Sequence, residues 1–99
     1  MSRRRVVVTG LGIISPVGNT IQEAWDSIVA GRSGISRITR FDASAFTAQI
    51  AGEVKGFDIA AYLSPKDARR MDTFIHYGLA AGTQAFRDSG IEVTPENAE

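Results

Sequence analysis

A run of three valines near the start constrains the fold of this chain more than any other feature. Val6, Val7 and Val8 are β-branched and lack polar alternation, which is typical of a strand covered on both faces within an α/β sheet. Gly10 and the glycine and proline residues up to Gly18 then end the strand. Such a strand needs partner strands, and the rest of the 99 residues offers few of them.

Two helical regions are predicted after the strand. Thr20 can cap the first, and Glu23, three residues later, completes a capping box. Gly31 ends this helix, and its apolar side chains recur at helical spacing: Ile21, Ala24, Trp25, Ile28 and Val29. We therefore expect the helix to lie on the sheet, with Trp25 as a packing anchor and not as a platform for a ligand.

The second helical region begins at Ser64, which can cap the helix and precedes a proline at the first helical position. Gly90 ends it. Gly78 and Gly82 lie in its middle, where each glycine costs about 1 kcal/mol relative to alanine. This pattern predicts that the helix packs closely against another helix or a strand.

The stretch from Arg32 to Phe57 separates these two helical regions and has little regular patterning. Within it, Gln49 to Val54 predicts a short edge strand. A loop of this length is uncommon in a compact domain, so we interpret it as a covering or functional segment of a larger fold.

Composition narrows the classes of function. Lysine and arginine together number 11, as do aspartate and glutamate, so the net charge does not favour binding to nucleic acid. The three arginines Arg3 to Arg5 are interpreted as a solvated entrance to the strand. Cysteine is absent, which excludes a disulfide framework, a thiolate metal site and a thiol nucleophile within these residues. No apolar run approaches the roughly 18 residues of a membrane span. The chain is interpreted as cytoplasmic, without a signal peptide.

The strand leading into Gly10-Leu-Gly12 suggests a dinucleotide-binding fingerprint. Ser15 stands where the third glycine of that fingerprint would be, and the helix begins only near Thr20. No helix N-terminus is therefore placed against a pyrophosphate, and a nucleotide site is the weaker alternative.

His76 is the one histidine of the chain, and Asp72 is the one carboxylate at helical spacing from it. A lone helical histidine of this kind is interpreted as a surface or packing residue. Ser15 and Ser33 have no histidine base in the local pattern, so nucleophilic catalysis is not supported.

Lys66, Arg69 and Arg70 form a cluster of cations, here called the basic cluster. Their spacing of i, i+3 and i+4 places them on one face of a helix. One interpretation is a solvated face paired with Asp67 and Asp72. The other is a docking patch for an acidic partner, since arginine suits the recognition of carboxylates and phosphates.

Several segments, in order, resemble the β-ketoacyl-acyl carrier protein synthases, the elongating condensing enzymes of fatty acid synthesis, and the likeness is closest to the bacterial type II synthase. They are residues 6–19 (VVVTGLGIISPVGN), 30–35 (AGRSGI), Phe41-Asp42, Ala51-Gly52, and Arg70-Met71-Asp72 to Phe74 with Tyr77-Gly78.

The resemblance implies an α/β, thiolase-like fold of two similar halves, layered α-β-α-β-α, in a homodimer. Residues 1–99 would be an incomplete N-terminal portion of the first half, with its first core strand, two helices and a covering loop and no internal domain boundary. We expect this portion alone to be molten or aggregated, and inactive.

The activity implied by the resemblance is elongation of fatty acyl chains by decarboxylative condensation of malonyl-acyl carrier protein with an acyl-enzyme thioester. The family's cysteine and two histidines match no position in this chain, so no catalytic, cofactor-binding or metal-binding residue is predicted and no cofactor is expected. Lys66, Arg69 and Arg70 match basic positions that engage the acidic helix of the carrier protein, which bears the phosphopantetheine-linked acyl or malonyl group.

Two alternatives remain from the sequence. A non-catalytic paralogue of the chain-length-factor kind would share this opening without the cysteine. A small freestanding nucleotide-binding or interaction domain belongs to a different class altogether.

Overall fold

The computed structural model describes residues 3–98, so the outermost residues of the domain predicted over 1–99 (1, 2 and 99) lie outside it. The elements in chain order are helix α1 (Ile21–Val29), strands β1 (Ile35–Arg37) and β2 (Ile50–Gly52), a 3₁₀ turn (Ile59–Ala61), and helices α2 (Pro65–Ala68) and α3 (Thr73–Ser89). β1 and β2 pair antiparallel. None of the helices within 3–98 has the length and apolar character to cross a bilayer.

Helix α1 begins as its capping residues predict. The Thr20 side chain accepts a hydrogen bond from the Glu23 backbone N–H at 3.2 Å, and the Glu23 carboxylate accepts one from the Asn19 N–H at 3.2 Å. Gly31 follows the helix with φ of 72°, a left-handed conformation that favours glycine. The start and the stop of this helix are therefore both confirmed.

The expected burial of α1 is wrong for the part of the chain that the structure describes. Ala24 and Ser27 are the buried residues of the helix, whereas Trp25 is 59% exposed and Ile28 and Val29 are exposed as well. The reason is that no sheet lies beneath these side chains among residues 3–98, where the two-stranded β1–β2 ladder is the only sheet.

The three valines show the same departure from prediction. Val6, Val7 and Val8 are 96%, 70% and 78% exposed, and they pair with no strand among residues 3–98. The predicted first core strand is therefore not formed as a strand here. Its physical requirement, a neighbouring strand to satisfy the backbone groups, is not met by the described residues.

Gly10 and Gly12 lie against the backbone of α3. A Cβ atom at Gly10 would collide with the Ala85 carbonyl oxygen, and one at Gly12 would collide with the Ala81 carbonyl oxygen. Close packing against a helix is thus found at these two glycines. The sequence had led us to expect it at Gly78 and Gly82, where an added Cβ would meet nothing within 4 Å.

Two side chains of α3 form hydrogen bonds with the backbone of residues 10–13, here called the glycine loop. The Leu11 N–H donates to the Asp88 carboxylate at 3.0 Å, and the Ile13 N–H donates to the Gln84 side-chain oxygen at 3.1 Å. These bonds satisfy backbone groups that would otherwise need a sheet partner.

Gln84 joins two further segments to α3 through its amide nitrogen. That nitrogen donates to the Asn19 carbonyl at 2.6 Å and to the Tyr62 hydroxyl at 3.0 Å. Asn19 in turn donates from its side chain to the Lys55 carbonyl at 2.8 Å. One half-buried amide on α3 therefore connects the glycine loop, the start of α1 and the 3₁₀ turn.

The second helical region is two helices, not one. α2 begins at the predicted Ser64 cap, whose hydroxyl accepts from the Asp67 N–H at 3.2 Å, but it ends at Ala68. α3 then begins afresh after Asp72 and ends at Gly90, whose φ of 70° matches the predicted stop. The prediction of one helix from Ser64 to Gly90 is wrong at this break.

The predicted edge strand between Gln49 and Val54 is confirmed in a shorter form as β2. The Glu53 carboxylate, just after β2, accepts hydrogen bonds from the Thr39 hydroxyl at 2.9 Å, from the Thr39 N–H at 3.1 Å and from the Arg40 N–H at 3.2 Å. These bonds join the segment after β2 to the segment after β1 through a side chain. They also lower the pKa of Glu53, chiefly through the Thr39 hydroxyl.

The apolar core of the described residues is small. Its buried members are three alanines, Ala24, Ala43 and Ala80, and no large side chain is fully buried. The radius of gyration is 17.7 Å, whereas a compact domain of about 100 residues has one of about 13 Å. Most of the large apolar side chains of residues 3–98 therefore still face solvent.

Gly12 and Gly78 form a matched pair of test positions. In the complete protein that the resemblance implies, Gly12→Ala is expected to cost about 1–3 kcal/mol, because the new methyl group meets the α3 backbone. Gly78→Ala adds a better helix former in open space and is expected to stabilise by up to about 1 kcal/mol. Urea unfolding of both variants measures the difference. Equal destabilisation by the two changes would contradict this assignment of the packed face.

The lowered pKa of Glu53 makes its contribution to stability depend on pH. That contribution is present above the ordinary glutamate pKa of about 4.3 and is lost as the pH falls through the lower folded-state value. In the complete protein, Glu53→Gln is therefore expected to lower the free energy of unfolding at pH 7, with the deficit narrowing below about pH 4.3. Melting temperatures between pH 7 and pH 3 measure this, with the exposed Glu92→Gln as control. A deficit that stays constant over this range would rule the interpretation out.

The isolated 1–99 polypeptide is predicted to be molten or aggregated, because the valines are exposed and the core is three alanines, so that little apolar surface is buried on folding. Thermal unfolding followed by circular dichroism, together with size-exclusion chromatography, tests this. A sharp, cooperative transition with a monomeric elution profile would count against it.

Candidate functional site

The basic cluster lies on α2 and the turn that follows it. Lys66 is inside α2, Arg69 caps its C-terminus with helical dihedral angles, and Arg70 lies in the next turn. Their spacing in the sequence predicts that all three lie on one face of a longer helix. The structure instead has a single helical turn that ends between Lys66 and Arg69. A hydrogen bond from the Arg70 N–H to the Asp67 carbonyl, at 3.1 Å, then forms a further turn that includes Arg70.

Hydrogen bonds hold this turn from both sides. Within it, the Arg69 Nε donates to the Pro65 carbonyl at 3.2 Å, which directs the arginine back along α2. From α3, the His76 Nε2 lies 2.8 Å from the Ala68 carbonyl, and because a carbonyl can only accept, the ring nitrogen donates. His76 is half-buried, so it is a packing residue that fastens α3 to the end of α2, as interpreted from the sequence.

The three cations of the cluster are exposed. The alternative from the sequence was that Asp67 and Asp72 neutralise them in surface ion pairs. Over residues 3–98 the structure has one ion pair, Arg40 with Glu53, and neither aspartate contacts a cation of the cluster within 4.0 Å. The cluster therefore presents three positive charges to solvent on a turn whose backbone is fixed, an arrangement suited to a long-range attraction for an acidic surface.

The nucleotide alternative gains no geometric support. Gly10 and Gly12 face the α3 backbone, and the Leu11 N–H is already bonded to Asp88. The space that a pyrophosphate would need at these glycines is taken by the helix.

The described part of the chain groups neither metal ligands nor a serine with a base. Between residues 3 and 98, no three or more histidine, cysteine, aspartate or glutamate side chains are grouped so that they could hold a metal ion. Ser15 bonds through its hydroxyl to the Gly18 carbonyl at 3.0 Å, which is a turn contact and not the approach of a base.

Sequence reasoning missed one constellation. The Arg40 guanidinium donates to the Tyr77 hydroxyl at 2.7 Å, and this bond raises the pKa of the arginine. The partners are 37 residues apart, and neither belongs to a recognisable motif. No periodic or spacing signal links them, so only the folded arrangement of β1, β2 and α3 shows the contact.

Comparisons with known proteins agree with the resemblance drawn from the motifs. The family described as "Beta-ketoacyl synthase, N-terminal domain" matches residues 3–99. The 3-oxoacyl-[acyl-carrier-protein] synthase 2 of Vibrio cholerae serotype O1 is 59% identical over 98 residues, which are 99% of this chain and 24% of that protein. The protein of the same name from Coxiella burnetii is 48% identical over 98 residues, again 99% of this chain and 24% of the relative.

A solved structure shows the same similarity to ketosynthases. The ishigamide ketosynthase/chain length factor aligns with a TM-score of 0.78 at 37% identity, over 92% of this chain and 23% of that one. The chain thus spans about a quarter of the length of the curated relatives it matches. Since the match to the family's N-terminal domain covers nearly every residue, the chain belongs to the β-ketoacyl synthase family.

Proposed function

We propose that this chain is the N-terminal part of a cytoplasmic 3-oxoacyl-acyl carrier protein synthase that elongates fatty acyl chains. Relatives that carry this name match almost the whole chain at 48% and 59% identity, which supports the proposal. In the complete enzyme the acyl group moves from the carrier protein to a cysteine thiolate. Malonyl-carrier protein then loses CO₂, and the resulting carbanion attacks the thioester, which releases the cysteine and lengthens the chain by two carbons.

The catalytic groups of this scheme belong to parts of the enzyme outside these residues. The role proposed for the present chain is scaffold and recognition. Its valine segment would be the first core strand of a thiolase-like, α-β-α-β-α layered fold in a homodimer, with the missing strand neighbours supplied by the rest of the protein. The exposure of Val6, Val7 and Val8 supports this, because an apolar segment of this kind is otherwise unfavourable in water.

The basic cluster is proposed to dock the acyl carrier protein. The observation that carries this step is that Lys66, Arg69 and Arg70 are exposed and form no ion pair within the described residues. An acidic helix that binds these cations does not have to displace an internal carboxylate. Little binding free energy is therefore spent on breaking an existing ion pair. Complementary charge of this kind mainly raises the rate of encounter and fixes orientation.

A chain-length-factor paralogue is the second candidate, because the structural neighbour is described as a ketosynthase/chain length factor. Such a protein lacks the nucleophilic cysteine and performs no condensation itself. The residues that follow position 99 decide between the two candidates, since the cysteine and the histidines of a synthase would lie there.

The docking role is tested by charge reversal. The triple variant Lys66→Glu, Arg69→Glu, Arg70→Glu in the complete protein is expected to weaken carrier-protein binding about 10- to 100-fold at low salt, from roughly 0.5–1 kcal/mol for each exposed pair lost. The difference from wild type should shrink as salt screens the charges.

Calorimetric titration with the carrier protein at several salt concentrations measures this effect. Arg32→Glu, a reversal at an exposed arginine in the turn after α1, is the matched control and is expected to leave the affinity unchanged. Equal affinities for the triple variant and the control at every salt concentration would remove the docking role.

A further inference from the structure

A second polar surface lies where the end of the β1–β2 ladder meets the start of α3. It is a pocket of about 380 Å³, within the size range of small-molecule sites. Its lining residues include the polar Arg40, Thr73, His76 and Tyr77 and the apolar Val54 and Phe57. This pocket is distinct from the basic cluster, none of whose three cations lines it.

Arg40 retains its positive charge in this pocket. Its shortest hydrogen bond, at 2.7 Å, goes to a neutral partner, the Tyr77 hydroxyl. Glu53 stands 4.0 Å from the Arg40 Nε, with its side chain 10% exposed against 50% for the arginine. The Glu53 oxygens are already engaged by Thr39 and by the Arg40 backbone, and no carboxylate of residues 3–98 lines the pocket. The charge of the guanidinium is therefore only weakly compensated and is accessible from solvent.

The hydrogen-bonding roles of the other polar groups follow from their partners. Tyr77 accepts from Arg40, which leaves its own O–H to donate to a ligand. Thr73 adds a second hydroxyl. Since the His76 Nε2 donates to the Ala68 carbonyl, the Nδ1 of the neutral ring carries a lone pair and can accept a hydrogen bond from a protonated ligand oxygen.

From this arrangement we infer that the pocket binds the phosphate group of a small molecule. A guanidinium and two hydroxyls can donate hydrogen bonds to more oxygens than the two of a carboxylate, and arginine suits phosphate geometry. The pocket volume and the Phe57 wall leave room for an organic group attached to the phosphate. This inference stands independently of the carrier-protein docking role.

Calorimetric titration of the complete protein with inorganic phosphate, phenyl phosphate and acetate tests the inference. Saturable phosphate binding is expected, with acetate at least tenfold weaker. Tighter binding of phenyl phosphate identifies a phosphate monoester as the ligand class, whereas equal binding identifies free phosphate. Absence of saturable phosphate binding, or acetate binding of equal strength, overturns the inference.

Variants then locate the binding. Tyr77→Phe removes one hydroxyl and keeps the ring that packs edge-on against Phe57 with centroids 5.2 Å apart, so the pocket wall is preserved. Tyr77→Phe and Arg40→Gln are each expected to weaken phosphate binding by about tenfold or more, as for the loss of a hydrogen bond to a charged group. Arg69→Gln removes a charge from the basic cluster and serves as the matched control. Thermal melting confirms folding of each variant. Unchanged binding in Tyr77→Phe and Arg40→Gln, or loss in Arg69→Gln alone, overturns the assignment to this pocket.

Discussion

The contact between the glycine loop and the backbone of α3 is the constraint on which the rest of this structure depends. At Gly10 and Gly12 the loop lies so close to α3 that no side chain fits between them. Only at this separation can Asp88 and Gln84 reach the backbone N–H groups of Leu11 and Ile13. The direction of the valine segment is thereby set by α3, a helix that begins more than 60 residues later in the chain.

Polar side chains, and not a large apolar core, make the other long-range connections of residues 3–98. Gln84 joins the start of α1 and the 3₁₀ turn to α3, and Arg40 joins the strand ladder to the same helix through Tyr77. Bonds of this kind are directional, and each has a modest net worth of about 0.5–1.5 kcal/mol. They specify where the segments lie. The overall stability depends on burial of the apolar surfaces that are still exposed here.

Local signals in the sequence were sufficient for elements that depend on neighbouring residues. The Thr20 cap, the Gly90 stop and the short strand β2 follow from capping chemistry and strand patterning. Predictions that depend on distant residues failed. The partners of Val6–Val8 are not among residues 3–98, and the glycines that touch a helix are those of the loop, because close approach depends on both surfaces.

The two candidate sites differ in the same respect, since one depends on neighbouring residues and the other on distant ones. The basic cluster is visible in the sequence because its members lie within five consecutive positions, and the structure changes only the helix that carries them. The pocket lined by Arg40 brings together residues from the segment after β1, the segment after β2 and the start of α3. Sequence spacing carries no information about such an assembly. The break between α2 and α3 is also not predictable from the sequence, since none of the residues from Arg69 to Asp72 prevents a helix.

The solvent-exposed valines have a consequence for biosynthesis. The amino-terminal segment leaves the ribosome first, and a protein as long as the relatives of this chain needs on the order of tens of seconds for its remaining three-quarters at about 5–20 residues per second. Throughout that interval the segment of Val6, Val7 and Val8 would face water with backbone groups that pair with no strand, available to any other nascent chain. Translation speed and chaperone capture thus become determinants of yield for this molecule.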